Sequence, residues 1–405
     1  MKLLHTADWH IGRTLNGFSL LEEQKFAFNQ ILAIAKKEKV DGIIIAGDLY
    51  DRSVPNVEAV TAFNNMLKKT VLEAGIPIYA ITGNHDSAKR LEFGYDFFKQ
   101  RNLYLHTSLD QALRPVETEN VQLFLLPYLD PMDIRVYYKQ VVGEDDETVR
   151  TYQKITDCLK RILIDIKKQF NPEKKQVLIT HFAVTKKGAK HEEALRKQMT
   201  SEVTSTIGGL ATLTSDLFND FDYVALGHIH THHASPTETI VYSGSPLVFN
   251  TKEAKMKSQK GVYVVDLTAT GVSKKFFPLE VKKELIVIEE SFITATNPQF
   301  FQQQPCHKAW FSFALTDYDR KAMTGINVRA RLEEIYGKDI VEISIEENKN
   351  QKTAQMPQSD KQKHKELSPE IVVTNFYEAV REEQMTDYQG EIVESIMEAI
   401  KKEGN

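Results

Sequence analysis

The stretch Asp41-Gly42-Ile43-Ile44-Ile45-Ala46-Gly47-Asp48-Leu49-Tyr50-Asp51 decides the fold class. With no polar side chain from Gly42 to Gly47 and three β-branched residues in a row, it predicts a buried strand over 41–47. The run then delivers a carboxylate, Asp48, at its carboxyl end. An aspartate leaving a buried strand is costly unless it is paired or holds a cation. Upstream, 1–7 reads as a strand and 20–37 as an amphipathic helix, with Leu21, Phe28, Ile31, Leu32 and Ala35 at near-helical spacing. Downstream, a helix over 56–73 is closed by Gly75 and Pro77 and followed by a strand over 78–82. A long helix over 147–170 and strands over 177–180, 223–226, 240–242 and 262–267 continue the alternation. This pattern predicts an α/β layered domain over 1–268.

A second unit, 275–346, reads as strand (284–289), strand (309–314), helix (327–336) and strand (339–345), a small α+β domain. In 347–366 the hydrophobic residues are Ala354 and Met356, too few to offset the entropy of ordering, so the segment reads as a flexible linker. The last part, 367–405, predicts two short helices, 369–382 and 387–402. Ser368-Pro369 is a good helix start, Thr386 with Gln389 fits a capping box, and Ile392, Val393, Ile396, Met397 and Ile400 form one apolar stripe. Helices this short need something to pack on.

Composition narrows the classes. The 405 residues are 41% hydrophobic and 26% charged, a globular balance. No apolar run approaches the ~18 residues of a membrane span, so none is expected. The chain turns polar at His5, Thr6 and Asp8, so no secretory leader is expected. Cys158 and Cys306 stand far apart without partners at metal spacing, which excludes a disulfide scaffold or zinc finger and fits a reducing cytoplasm. Lys plus Arg is 51 against 56 Asp plus Glu, a net charge of −5, so any nucleic-acid contact must come from a local basic patch.

Five short motifs fall at predicted strand ends. Asp8-Trp9-His10 places two side chains on one side of a strand end. Asp48 and Asp51 follow the 41–47 strand, and Gly83-Asn84-His85-Asp86 follows the next. His181 ends Val177-Leu178-Ile179-Thr180, and Gly227-His228-Ile229-His230 follows Tyr223-Val224-Ala225-Leu226. His232 continues the same side as His228 and His230. Spacing alone does not choose among the three; the glycine before His228 favours 228 and 230. Taken singly, each motif is ordinary: a surface pair, a capping aspartate, a Gly-Asn turn, a structural histidine. Together they are not, because ligands of open α/β sheets collect outside the carboxyl ends of the strands. Asp8, His10, Asp48, Asn84, His181, His228 and His230 are too many for one ion but suit two that share a carboxylate. Imidazole and carboxylate without thiolate favour Mn, Fe or Zn over Ca or Mg. Two such ions about 3.5–4 Å apart can clamp a phosphate ester.

The ordered set Asp-x-His, Gly-Asp, Gly-Asn-His-Asp, His, Gly-His-x-His resembles that of the calcineurin-like metallophosphoesterases. Four segments resemble one branch, the bacterial DNA-nuclease subunits that work with an SMC-like ATPase. They are His5-Thr6-Ala7-Asp8-Trp9-His10-Ile11-Gly12-Arg13, Gly47-Asp48-Leu49-Tyr50-Asp51, Tyr223-Val224-Ala225-Leu226-Gly227-His228 and Tyr242-Ser243-Gly244-Ser245-Pro246. The resemblance covers nearly the whole chain and is weakest over 184–220 and the linker. It implies a four-layer β-sandwich flanked by helices, with 275–346 as a DNA-contacting capping domain. It implies that Asp8, His10, Asp48 and His230 hold one metal, and Asp48, Asn84, His181 and His228 the other, with Asp48 bridging and Mn2+ preferred. His85 matches the family's catalytic histidine, a non-ligand that serves the leaving oxygen, with Asp51 or Asp86 orienting it. Asp51 itself departs from distant archaeal and eukaryotic relatives, which carry a histidine there.

The implied reaction is in-line attack of activated water on a DNA phosphodiester. It would appear as 3′-to-5′ exonuclease and structure-specific endonuclease activity in the cytoplasm, at the nucleoid. The ATPase would dock on 367–405. The resemblance also implies a homodimer through 56–73 and 89–100, with Phe63, Met66 and Leu67 or Leu91, Phe93, Phe97 and Phe98 as its apolar contact. Arg13, Arg52, Lys89 and Arg90 lie just beyond the metal motifs, where a DNA backbone would pass, and Lys186, Lys187 and Lys190 follow His181. Trp9 and Tyr50 read as packing rather than base stacking. Two competing readings use the same residues: a phosphoesterase for small nucleotides or phosphoproteins, and a non-catalytic DNA-binding scaffold. The long tail argues against the first, and the complete ligand set with His85 against the second.

Overall fold

The computed structural model describes residues 1–198, 212–318 and 325–347, with positions 377, 384, 386, 388–390 and 393 of the C-terminal region. Its first part carries strands β1 (Lys2–Thr6), β2 (Gly42–Ala46), β3 (Ile78–Ile81), β4 (Leu103–His106), β5 (Val116–Glu117) and β6 (Val121–Leu126). Then come β7 (Lys175–Thr180), β8 (Tyr223–Leu226), β9 (Ile240–Tyr242), β10 (Gly261–Thr268) and β11 (Gly271–Pro278). They form a six-stranded sheet, β11-β10-β1-β2-β3-β4, and a five-stranded one, β9-β8-β7-β6-β5. β1 to β4 run parallel, with Leu4 opposite Ile43 and Ile43 opposite Ile78. β6 to β9 are parallel likewise, with Leu178 opposite both Val224 and Phe124. Parallel strands send their carboxyl ends to one edge, which is what brings the five motifs together.

Side-chain alternation sorts each strand between two cores. Leu3, Ile44, Ala46, Ile81, Leu123, Leu125, Val177, Ile179 and Ala225 fill the space between the sheets. Leu4, Ile43 and Ile45 point the other way, onto α1 (Leu21–Glu38) and α2 (Val57–Leu67). Phe124, Leu126, Leu178 and Val224 point onto α3 (Pro131–Tyr137) and α4 (Ile155–Lys167). The result is helix, sheet, sheet, helix: an α/β four-layer sandwich. α1 buries Phe28, Ile31, Leu32 and Ala35 of the predicted stripe and Ala27 beside them, while Leu21 is only partly buried. α2 starts where Asn56 Oδ1 accepts the Ala59 N–H at 2.8 Å. It widens after Leu67, where the Ala74 N–H reaches Lys69 O.

Four features depart from the sequence reading; one is that the helix expected over 89–100 is two short ones, Ala88–Leu91 and Tyr95–Lys99, parted at Gly94. The helix expected over 147–170 is two helices, Asp146–Arg150 and Ile155–Lys167. Tyr152 turns inward between them; its hydroxyl donates to Glu144 at 2.7 Å and its carbonyl accepts from Arg135 at 3.0 Å. Strands β4 and β6 have no counterpart in the sequence reading; short apolar runs carry no period that separates strand from helix. β11 pairs antiparallel with β10, Val262 opposite Phe277, so the first sheet runs past 268 to Pro278.

A smaller module follows, with β12 (Leu285–Ser291), β13 (Trp310–Tyr318) and β14 (Ile340–Glu347) in that spatial order, and a helix, α5 (Val328–Tyr336), capped by Asn327. Ile288, Ala295, Phe311, Phe313, Leu332 and Tyr336 make its own core. Leu285, Trp310 and Val341 join the core under α1. Compactness separates Met1–Glu346 from Glu347–Asn405. Of the linker expected over 347–366, Glu347 ends β14, and 348–366 with most of both terminal helices lie outside the described residues. Within that second unit the Thr386–Gln389 capping box is present: the Thr386 N–H donates to Gln389 Oε1 at 2.9 Å, and the Gln389 N–H to Thr386 Oγ1 at 3.4 Å. Gln389 also donates to the Tyr377 hydroxyl at 3.0 Å. No helix among the described residues is long and apolar enough to cross a membrane.

Candidate metal centre

All seven candidate ligands converge at the carboxyl edge of the two sheets. Asp8 and His10 leave β1, Asp48 leaves β2, and Asn84 lies just past β3. His181, His228 and His230 come from β7 and β8 of the facing sheet. Asp48 Oδ2 lies 3.2 Å from His181 Nε2 and 3.5 Å from His10 Nε2. His10 Nε2 and His230 Nε2 face each other at 3.2 Å. Asn84 Oδ1 sits 3.1 Å from His181 Nε2 and 2.9 Å from His228 Nδ1. The His228 N–H donates to Asp8 Oδ1 at 2.9 Å, tying one sheet to the other. His232 is elsewhere, its ring stacked on Phe276 at 4.3 Å.

The chain is bent to make this approach. Asp8, His10, Asp48 and His228 all have positive φ (53°, 44°, 50° and 88°). A left-handed non-glycine residue costs about 1–2 kcal/mol, and such strain persists only where the surroundings enforce it. A Cβ on Gly83 would lie 2.2 Å from Asp48 Oδ1, and one on Gly227 1.8 Å from Ala46 O. These two glycines are what allow the strand ends to close on each other.

Tautomers follow from the outer contacts. His181 Nδ1 donates to Ala46 O at 2.7 Å, which turns Nε2 toward Asp48 and Asn84; the neutral ring would offer an ion its lone pair there. His230 Nδ1 donates to Glu253 Oε1 at 2.8 Å, leaving its Nε2 toward His10. With the imidazoles neutral, several acceptors crowd together, and the centre calls for a cation; without one, a proton on His181 meets the Asp48 charge. Burial alone would lower the His181 imidazole, yet the Asp48 carboxylate pushes it up to about 9. Burial raises Asp8 and lowers His10 and His228, the last to about 3. Asp8 Oδ2 and His10 Nδ1 are buried without a hydrogen-bond partner, each such atom costing about 1–3 kcal/mol. Ligand atoms of Asp8, His10 and His230, of Asp8, Asp48 and His181, and of His10, Asp48 and His85 lie within 4.8 Å of one another. Buried, unsatisfied and strained oxygen and imidazole donors fit divalent metal ions of the Mn, Fe or Zn kind.

Around this cluster the structure separates the other candidates. His85 stands half-buried beside His10, ring centroids 4.8 Å apart, and its N–H donates to Asp48 Oδ1 at 2.9 Å. The His85 ring is held through Nδ1 by the Asp51 backbone carbonyl at 3.0 Å, not by a carboxylate. The Asp51 carboxylate is taken by Arg13 at 2.7 Å. Asp86 spends its oxygens on the N–H groups of Leu49, Tyr50 and Gly83 at 2.9–3.0 Å, strapping the two loops together. Burial and the nearby Asp48 charge push the Asp86 carboxyl up to about 7.

Arg13 is half-buried, while Arg52, Lys89 and Arg90 are exposed. Trp9 packs edge-on against Phe28 and Phe63, and Tyr50 against Phe63, so both are core residues. Phe63 and Met66, expected as possible dimer contacts, are also buried in this chain's own core; Phe93 (84% exposed) and Phe97 (77%) are not. Sequence reasoning missed Glu253 and Lys260. Glu253 sits at the third position of a short helix capped by Asn250, so in sequence it reads as a capping glutamate and nothing more.

Acceptors gathered this way at the edge of a two-sheet sandwich define a metal-dependent phosphoesterase. The chain belongs to the calcineurin-like phosphoesterase family, which its residues 1–232 match. Along its full length it is similar to two proteins named as the SbcD component of the nuclease SbcCD. One, from Staphylococcus saprophyticus, is 31% identical over 407 residues, covering 100% of both chains. The other, from Staphylococcus epidermidis, is 30% identical over 404 residues, covering 99% of both. Within the family, then, it groups with the SbcD proteins.

Proposed function

We propose that this chain is a two-metal DNA nuclease, a 3′-to-5′ double-strand exonuclease and structure-specific or single-strand endonuclease. It would act with an SbcC-like ATPase in DNA end processing, recombination, repair and replication. The observation that carries this reading is the convergence of seven metal-type side chains beside His85, in a chain alike end to end to proteins named as components of the SbcCD nuclease.

Asp8, His10, Asp48 and His230 hold one ion, and Asp48, Asn84, His181 and His228 the second; manganese is the proposed metal. When bound, the pair supplies water activation and charge stabilisation at a phosphodiester. The chain's own residues do the rest. His85, oriented through Nδ1 by Asp51 O, directs Nε2 to the leaving oxygen and hands it a proton. Asp86 fixes the loops that carry Asp48 and His85. Arg52, Lys89 and Arg90 lie exposed beyond those loops and meet the DNA backbone. Arg13 serves through Asp51.

Of the expected 275–346 module, the part after β11, from Leu285 to Glu346, acts as the capping, DNA-contacting module, and 367–405 dock the ATPase. The 56–73 helix and the 89–100 segment, with its two short helices, pair two copies, now through Phe93 and Phe97 rather than Phe63 and Met66. A strictly monomeric mass at micromolar concentration counts against that pairing. The proposed location is cytoplasmic, at the nucleoid.

The test is a manganese-dependent assay on duplex DNA run beside bis-p-nitrophenyl phosphate. Cleavage of both supports the nuclease. Hydrolysis of the small ester with intact DNA favours a phosphoesterase for small nucleotides or phosphoproteins, and no turnover of either favours a scaffold.

A further inference from the structure

Behind the metal centre lies a buried ion pair that the reaction does not use. Glu253 and Lys260 have side chains only 5% and 6% exposed and meet at 2.8 Å. Burying a carboxylate and an ammonium costs several kcal/mol each, and such pairs are weak evidence of stabilisation, so their placement needs another reason. Lys260 Nζ donates to Glu253 Oε2, to Ser245 Oγ and to the His230 carbonyl, each at 2.8 Å, which uses all three of its protons. Glu253 accepts from His230 Nδ1 at 2.8 Å and from Asn250 Nδ2 at 3.0 Å on its other oxygen. His230 is thus gripped twice, at its backbone by Lys260 and at its ring by Glu253, while its Nε2 faces His10 Nε2 at 3.2 Å.

We infer that Glu253 and Lys260 are positioning residues that fix the tautomer and ring plane of His230 for metal capture; this rests on His230 being a metal ligand, as proposed above. A carboxylate can only accept, so Glu253 obliges Nδ1 to carry the proton and leaves the Nε2 lone pair free for an ion. Lys260 sets which way any replacement turns. In Glu253→Gln, the ammonium can only donate, so it draws the amide oxygen to itself and leaves the NH2 group facing His230. Nδ1 must then accept, and the proton moves to Nε2, where it blocks the ion. Removing the ammonium as well lets the amide oxygen turn back to His230.

The experiment is manganese titration calorimetry on the full chain, with histidine-selective 15N spectra of the metal-free protein. Thermal unfolding serves as the check that each variant folds. The wild type should bind two equivalents and show His230 protonated at Nδ1. Glu253→Gln should bind one equivalent about 10–100-fold more weakly, the usual effect of losing such an outer partner, and show the proton on Nε2. The double variant Glu253→Gln with Lys260→Met should regain most of that affinity and the Nδ1 signal, which a merely structural pair would not do. A single variant with both affinities and the Nδ1 signal unchanged, or a double variant weaker than the single, overturns this inference while leaving the two-metal reading intact. A wild type that binds no manganese overturns both.

Discussion

His10 and His230 come from different sheets, 220 positions apart, and point their Nε2 atoms at each other across 3.2 Å. His230 has its proton on the Glu253 side, and His10 is held neutral by burial. Two nitrogens at this separation, with Asp48 Oδ2 within 3.5 Å of His10, are placed for a shared neighbour. The fold holds them there at the cost of left-handed backbone at His10 and Asp48.

Asp48 Oδ2 lies between the halves of the cluster, 3.5 Å from His10 Nε2 and 3.2 Å from His181 Nε2, with Asp8 also near both. Asp48→Ala should therefore empty both metal positions, while Asn84→Ala should mainly weaken the one shared with His181 and His228. Elemental analysis of the purified variants reads this directly. Asp48→Ala protein still carrying two equivalents would sink the bridging role.

His85 bonds Asp48 through its backbone N–H, and its ring, near the His10 and Asp48 donor atoms, is proposed as a non-ligand. His85→Gln should keep both metals and DNA affinity but lose turnover by about 10²–10⁴, the range of a general-acid contribution. Loss of metal in that variant would make His85 a ligand instead.

Burial holds the His106 imidazole down at about 4, partly offset by its hydrogen bond to Leu125 O. The unfolded chain takes up this proton near pH 6.5, and the folded chain only near 4. Stability from this group is thus full above about 6.5 and falls as the pH drops toward 4, by as much as ~3 kcal/mol. In chelator, His106→Gln should show a shallower loss of stability over that window than the wild type. Denaturant titrations at pH 7 and pH 5 compare the slopes; equal slopes contradict the assignment.

The edge that gathers the site was legible in the sequence because each ligand sits next to a short apolar run whose end is visible: Ile45 before Asp48, Ile81 before Asn84, Leu226 before His228. What was not legible depends on contacts far apart in the chain. Glu253 and Lys260 gain meaning only when β8 lies beside the helix Thr251–Met256. The break at Tyr152 comes from Arg135 and Glu144 drawing its polar groups inward, against an unbroken helical period. That His85 leans on the Asp51 carbonyl rather than a carboxylate depends on a loop path that side-chain patterns do not encode.

The tail offers a separate check. Thr386 and Gln389 cap a helix as their sequence predicts, yet the main unit carries its own cores without that region. A chain ending at Glu366 should fold, bind manganese and cleave single-stranded DNA, but lose binding to an SbcC-like ATPase and any stimulation by ATP. Undiminished co-purification with that ATPase would remove the docking role from 367–405.

The central claim is that seven residues from five strand ends hold two ions around Asp48. Anomalous diffraction from crystals soaked in manganese tests it most directly. The account predicts two peaks about 3.5–4 Å apart, with the Asp48 carboxylate between them, His10 and His230 on one, and His181 and His228 on the other. A single peak, or manganese bound away from these side chains, would contradict it.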